Sequence, residues 1–372
     1  MLDGLSLAHG VMEGDGAYNM HARIPAGGAN LALPLLEQAA RNITLDADDQ
    51  PIVIADYGSS PGKNSLAPMR AAIRALRARL GSDRAISVVH IDQPANDFNT
   101  LFHVLHGDRD RYCRDDPNVF PSAIGRSFYE SVLPPDYVHL GWSSYAAVWL
   151  SRVPTLIPGH FMVIRSAGEV RAAFERQAAE DWRFFLSLRA EELRPGGRMV
   201  VVLPGLNDDG VTGFETLFDQ ANATLSDMVA EGTLRAEERD RMVIGSYPRH
   251  RCEVLEPFKG DGHFRGLVVE ACDLSVLKDS AWSDYVQHGD KRALASRHAL
   301  FFRAIFMPSL AAALVRAEDV AVTQAFADRL ESGLRRRLTD QPVPLHSFVQ
   351  TIVVAKPDSY KPGNHACTRS NI

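Results

Sequence analysis

Short, uninterrupted apolar runs alternate with amphipathic stretches through the first half of the chain. Residues 51–58, PIVIADYG, form a β-branched run ending in an acid and a glycine, the pattern of a buried parallel strand that enters a loop. Across 69–81, Met69, Ile73, Leu76 and Leu80 recur at helical spacing with arginines between them, which predicts a helix closed by Gly81. Residues 85–92, AISVVHID, predict a second strand, followed by a loop and helix in QPANDFNTLFHVL, and residues 136–144 predict a third. The stretch EVRAAFERQAAEDWRFFLSLRAEEL reads as a long helix burying Phe174, Trp182, Phe185, Leu186 and Leu193, stopped by Pro195-Gly196-Gly197 ahead of the strand MVVVL.

Strands alternating with helices argue for an α/β fold around a mostly parallel sheet with helices on both faces. Such sheets bind ligands beyond the carboxyl ends of their strands, at the switch point. The character changes within 207–332, where helical segments dominate, and this stretch is expected to be a mainly helical cap over residues 1–206. Residues 346–357, HSFVQTIVVAKP, return to strand character within a segment 333–360 that completes the sheet, and 361–372 is expected to be a flexible tail.

The chain has 372 residues, 45% of them apolar and 23% charged, which suits a globular protein with a sizeable core. A formal net charge of −6 argues against nucleic acid as a partner. No apolar run approaches the roughly 20 residues that span a bilayer, and the first residues lack the basic start and apolar stretch of a signal peptide. Cys113, Cys252, Cys272 and Cys367 are far apart with no CxxC spacing. The expectation is reduced thiols in a cytoplasmic protein, with neither a zinc site nor a disulfide framework. The histidines show no HExxH or other metal-binding spacing, so no metal is expected.

The densest chemistry lies in ADYGSSPGKNS, residues 55–65. Here a strand ends in Asp56, which can accept hydrogen bonds from an ammonium or hydroxyl group, and a glycine- and serine-rich loop lets backbone approach a ligand closely. The spacing is neither that of a Walker phosphate loop nor the dinucleotide GxGxxG. A literal GxSxG spans 58–62, but Pro61 and Gly62 follow the serine and helical periodicity begins only near Met69, unlike a hydrolase elbow. Asp92, at the end of the second strand, stands where an acid holds the ribose hydroxyls of an adenosine-containing cofactor. Together these features suit S-adenosylmethionine better than NAD or ATP.

Four motifs then carry a resemblance. ADYGSSPGKNSL is similar to ADLGCSSGPNTL of the SABATH methyltransferases, the plant salicylate, benzoate, jasmonate and theobromine-forming enzymes and their bacterial relatives. DQPANDFNTLF, GRSFYESVLPPDYVHLGWSSYAAVWLSRVP and DWRFFLSLRAEELRPGGRMVVVLPG follow further segments of that family in order and spacing, across roughly residues 10–240. The resemblance implies a Rossmann-like class I methyltransferase sheet, S-adenosylmethionine as cofactor, a small-molecule substrate and a homodimer. By position it implies that Asp56, Gly58, Ser59 and Asn64 surround the methionine part of the cofactor, with Tyr18 in a closing N-terminal segment. Asp92 would take the ribose, Gln93 would stand beside the adenine, and Ser127 and Phe128 would complete the adenine pocket. Tyr145 and Trp149 would contact the substrate, the indole N–H donating to a carboxylate, and Phe218 would replace a pocket tryptophan; on a helix, residues at this four-residue spacing would simply pack together.

One departure bears on the chemistry. The family's N-terminal glutamine, which helps grip the carboxylate, is Pro25 here, and His21, Arg23 and His160 are the candidates to compensate. The expected reaction is methylation of a small-molecule carboxylate to a methyl ester. A carboxylate is ionised at neutral pH and needs no general base, so no catalytic side chain is expected beyond those that position the reactants. N-, C- or phenol O-methylation on the same scaffold is the alternative; a base would then be needed, with His21, His139 and His160 the first candidates.

Overall fold

In the computed structural model, which describes residues 10–14, 16–46 and 50–358, one eight-stranded sheet organises the chain. Its strands are β1 (Ile52–Tyr57), β2 (Ile86–Asp92), β3 (Val119–Gly125), β4 (Val138–Ser144), β5 (Leu193–Pro204), β6 (His263–Phe264), β7 (Leu267–Leu277) and β8 (Ser347–Ala355). They lie in the order β3-β2-β1-β4-β5-β8-β7-β6. β1 to β5 pair in parallel, whereas β8 is antiparallel to both β5 and β7. The chain runs outward from β1 to β3 and then crosses back to β4 on the other side. The gap beyond the ends of β1 and β4 is therefore the switch point where open α/β sheets bind ligands.

The helices are α1 (Ala17–His21), α2 (Arg23–Leu31), α3 (Leu33–Asn42), α4 (Leu66–Leu80), α5 (Phe98–Gly107), α6 (Gly168–Glu192), α7 (Glu215–Ala230), α8 (Ala236–Asp240), α9 (Arg251–Val254), α10 (Ser280–His288), α11 (Lys291–Ala311) and α12 (Val320–Asp340). Alternation within the strands sorts the core into two layers. Ile52, Ile54, Val88 and Trp142 pack with Leu36, Met69 and Leu76 of α3 and α4. Val53, Tyr57, Val89 and Met199 pack on the opposite face with Trp182, Phe185 and Leu186 of α6. A strand buried on both faces reads as a continuous apolar run, which is why β1 and β2 stand out in the sequence. A third apolar cluster joins α7, α11 and α12 with the N-terminal segment and Trp149, forming a helical body above the carboxyl ends of the strands.

The α/β reading holds, with three corrections. Val119–Gly125 is a strand the hydrophobic pattern does not show: it is the sheet's outer strand on that side, only partly buried, and carries Pro121, which an edge strand tolerates. The stretch 207–332 is not only helical, because β6 and β7 lie within it and extend the sheet beyond β8. Only part of β7 is buried, so it lacks the apolar run of an inner strand. Residues 145–149 form a turn rather than a helix, with Tyr145 left-handed at φ 59°. The expected tail 361–372 lies outside the described residues. No described helix is long and apolar enough to cross a membrane.

Candidate active site

A cavity of about 320 Å³ opens at the switch point, and a smaller side pocket shares Tyr18, Pro25, Gly58, Ser60 and Ser144 with it. The twelve residues expected at the site are brought together here. Tyr18, Gly58, Asp92, Gln93, Ser127, Phe128, Tyr145, Trp149 and Phe218 line the main cavity. Asp56, Ser59 and Asn64 line the side pocket.

The polar half is built from strand ends and the loop after β1. Gly58 has φ 89°, and a Cβ there would stand 2.1 Å from that of Ala146, so backbone passes where no side chain fits. Ser60 is itself left-handed at φ 50°. Its N–H donates to Asp92 Oδ2 (2.7 Å) and its carbonyl accepts from Asn96 Nδ2 (3.1 Å), bonds that hold an unfavourable turn in place. Asp92 also accepts from the Gln93 N–H at 2.8 Å. Burial outweighs these two bonds and pushes its carboxyl up to about 6. Asp56 is buried, accepting from Ser65 Oγ at 2.5 Å and facing His90 Nδ1 at 2.9 Å. His90 in turn meets the Tyr112 hydroxyl at 2.7 Å. Burial raises Tyr18 to about 12, tempered by the side chains of Asn64 and Ser60, so its phenol stays protonated. The Ser59 hydroxyl is buried with no hydrogen-bond partner among the described residues, and an orphaned hydroxyl beside a glycine cradle and a buried acid suits a ligand that is both donor and acceptor.

The RAEEL segment of α6 has a structural role on this side. Arg189 and Glu192 pair at 3.0 Å while both are buried. Glu192 accepts from the Tyr57 hydroxyl (2.6 Å) and from the N–H of Val132 (2.8 Å), and Arg189 donates to the Phe128 carbonyl at 2.9 Å. The pair thereby ties the loop carrying Ser127 and Phe128 to the sheet.

The other half is aromatic. Phe214 and Phe301 stack at 5.8 Å, Phe218 meets Phe306 edge-on at 5.3 Å, and Trp149 lies 6.4 Å from Phe306. Met12 and Met162 complete the wall. The loop bearing Trp149 is held from several sides. Arg249 donates to the Ala147 carbonyl at 2.8 Å, the Tyr129 hydroxyl to the Trp149 carbonyl at 2.6 Å, and the Ser151 N–H and hydroxyl to Asp181. Gly10 packs on the indole, where a Cβ would come within 3.0 Å of Trp149 Cγ. The Trp149 indole N–H has no acceptor among the described residues, although the residue is only 8% exposed.

None of the three compensating candidates lines the cavity. Arg23 is exposed and His21 half-buried. His160 packs on Phe161, accepts from the Met162 N–H at 2.9 Å, and is lowered to about 4 by burial. His139 lies near the amino end of β4, between the Val53 N–H (3.1 Å) and Arg194 (2.6 Å). Pro25 occupies the first turn of α2, where a missing N–H is harmless, and it offers the cavity no donor. Asp92 is the one charged side chain among the described residues that line the main cavity, and no histidine lines it. Sequence reasoning missed Phe301, Ile305 and Phe306 of α11, whose HALFFRAIFMP run shows the aromatic density but not its destination. It also missed the His90–Tyr112 relay and Ser246, for which no local signal exists.

The model of a family described as SAM dependent carboxyl methyltransferase matches residues 6–352. Among curated relatives, methyltransferase LUC1 of Fusarium sp is 32% identical over 245 residues, 64% of this chain and 63% of the relative, so the match spans under two thirds of that protein's length. The salicylate carboxymethyltransferase of Clarkia breweri is 29% identical over 291 residues, 74% of this chain and 78% of the relative. A solved loganic acid methyltransferase with SAH has the same fold, with a TM-score of 0.74 and 22% identity over 95% of this chain and 99% of that one. The doubly wound sheet, the cavity at its switch point and a match along nearly the whole sequence agree, and the chain belongs to the SAM-dependent carboxyl methyltransferase family.

Proposed function

We propose that this protein binds S-adenosylmethionine and methylates the carboxylate of a small, largely apolar acid, giving a methyl ester. The observation that carries the reading is the Trp149 indole N–H, unpartnered in an aromatic cavity whose described lining has no basic side chain. When bound, the cofactor supplies a methyl group on a sulfonium, an electrophile that needs no activation by the protein. Asp92 takes the ribose hydroxyls, Ser127 and Phe128 the adenine, with Gln93 beside it, and the 56–64 loop with Tyr18 the amino-acid end. Trp149 donates to the acceptor carboxylate, while Tyr145, Phe218 and the phenylalanines of α11 enclose its apolar body and exclude water. The acid arrives ionised, so no base is required. An N–H donor in place of a cation leaves more of the anion's nucleophilicity intact, since a strong ion pair would favour the ground state over a transition state that loses charge. The absence of a basic side chain from the described lining supports this reading over phenol, nitrogen or carbon methylation. The helical body formed by α7, α11 and α12 acts as the substrate cap. The same proposal includes a cytoplasmic homodimer; Cys113, Cys252 and Cys272 are unpaired, as a reducing compartment would keep them.

The test is release of S-adenosylhomocysteine with a panel of aromatic, aliphatic and isoprenoid monocarboxylic acids, followed by product mass. A gain of one methyl that mild base removes as methanol is expected. A base-stable product, or no turnover with any acid despite tight cofactor binding, would overturn the reading.

A further inference from the structure

The carboxylate has two oxygens, and the proposed site so far offers one donor. The backbone around Trp149 shows where a second stands. The Leu150 N–H donates to the Gly245 carbonyl at 2.8 Å and the Tyr247 N–H to the Val148 carbonyl at 3.0 Å. These bonds flank Trp149 and Ser246, which face each other in an isolated antiparallel bridge. Directly opposed residues between such flanking bonds form the non-hydrogen-bonded type of pair, in which the Cα atoms approach to about 4.5 Å and both side chains leave on one face. Trp149 and Ser246 both line the cavity, so the serine hydroxyl lies beside the indole on the same wall.

That hydroxyl is available. Ser246 is 5% exposed, and its Oγ has no hydrogen-bond partner among the described residues. Three other hydroxyls on this side are engaged: Ser151 with Asp181 at 2.6 Å, Thr212 with Glu215 at 2.8 Å, and Tyr129 with the Trp149 carbonyl; the Tyr145 hydroxyl has no partner among the described residues but is fully buried against Gly28. Pro25, in the first turn of α2, donates nothing.

We propose that Ser246 is the second donor to the acceptor's carboxylate, paired with Trp149 by the backbone bridge between them. The inference rests on the carboxyl-methylation reading above. Each donor takes one carboxylate oxygen or both share one, and neither gives up a proton, so the methyl-accepting oxygen keeps its lone pair. The bridge makes the two donors a rigid unit: Arg249 and Tyr129 hold one strand of it, and the Ile244 N–H donates to the Phe161 carbonyl (2.8 Å) on the other.

The test compares wild type, Ser246→Ala and Ser246→Thr on the acid panel. KM is measured for acid and for S-adenosylmethionine, and binding of each acid and of its methyl ester is titrated in the presence of S-adenosylhomocysteine. Loss of a hydrogen bond to a charged group predicts that Ser246→Ala weakens the acid about tenfold or more. Methyl-ester binding, cofactor KM and S-adenosylhomocysteine affinity should not change, and Ser246→Thr should recover most of the loss. Equal weakening of acid and ester would assign Ser246 to packing and overturn the proposal, as would an unchanged acid KM in Ser246→Ala. If wild type turns over no acid at all, the methylation reading itself fails and this inference falls with it. Turnover with an indifferent Ser246→Ala removes the serine alone.

Discussion

The two halves of the cavity are built on opposite principles. The polar half comes from strand ends and the loops that follow them, and its lining groups are backbone, hydroxyls, side-chain amides and two buried acids, Asp56 and Asp92. The aromatic half draws on Met12, Trp149, Phe218 and Phe306, from parts of the chain almost 300 residues apart, and its polar content is reduced to a few neutral donors. On the proposed reading, one half recognises a fixed, hydrogen-bond-rich molecule. The other then measures volume and apolar character, which a modest change of side chain can retune. The same fold can therefore keep one cofactor while its acceptors differ.

Four experiments break or sharpen this contrast. The largest effect is expected from Arg189→Met, which strands the Glu192 carboxylate in a buried site. Breaking such a pair costs about 3–5 kcal/mol, so urea denaturation should show a loss of that order, and a stability within 1 kcal/mol of wild type would remove the pair as a support of the polar half. Next, Asp92→Ala deletes the acceptor of the Ser60 and Gln93 N–H groups. At roughly 1.5–3 kcal/mol per charge-assisted bond, S-adenosylhomocysteine affinity by calorimetry should fall about a hundredfold, with little change in KM for the acid. If both substrates weaken alike, the halves are not separable.

Trp149→Phe keeps an aromatic wall but removes the indole donor. KM for the acid should rise about tenfold while cofactor affinity stays constant, and an unchanged KM would sink the carboxylate-donor role. The smallest effect is the dependence on pH. Asp92 is raised to about 6 by burial, and its acceptor role requires the ionised form. Affinity for the cofactor should thus be full above pH 6 and decline as pH falls through it, a limb that Asp92→Asn abolishes. The stability contribution of this one group has the opposite sign. Its burial penalty is absent below the unfolded value near 4, grows between 4 and 6 and is full above 6. A cofactor-affinity profile that is flat down to pH 5 would exclude Asp92 as the titrating group.

Legibility in the sequence followed burial and locality. β1, β2 and α4 were readable because a doubly buried parallel strand is an unbroken apolar run and a surface helix shows its face every three to four residues. β3 and β7 were not, because strands near the sheet's margins bury only part of their surface and mix polar with apolar residues. The polar half could be named almost residue by residue, since Asp56, Ser59, Asn64 and Asp92 sit in short motifs at strand ends. Tyr145 and Trp149 stand out through the resemblance, but their setting does not: a four-residue spacing also suits a helix, whereas the local backbone is a turn with a left-handed tyrosine.

By itself, then, the amino-acid order determined the alternating α/β layers, the family and the strand-end residues that line the cavity's polar half, because those features depend on neighbours a few residues apart. Only the tertiary structure decided what faces the acceptor. It left His21, Arg23 and His160 out of the cavity lining, brought Phe301 and Phe306 of α11 to the same wall as Trp149, and set Ser246 opposite that tryptophan across nearly a hundred residues. Such pairings arise from the packing of a helical body onto a sheet, and no local pattern records which side chains that packing leaves without a partner.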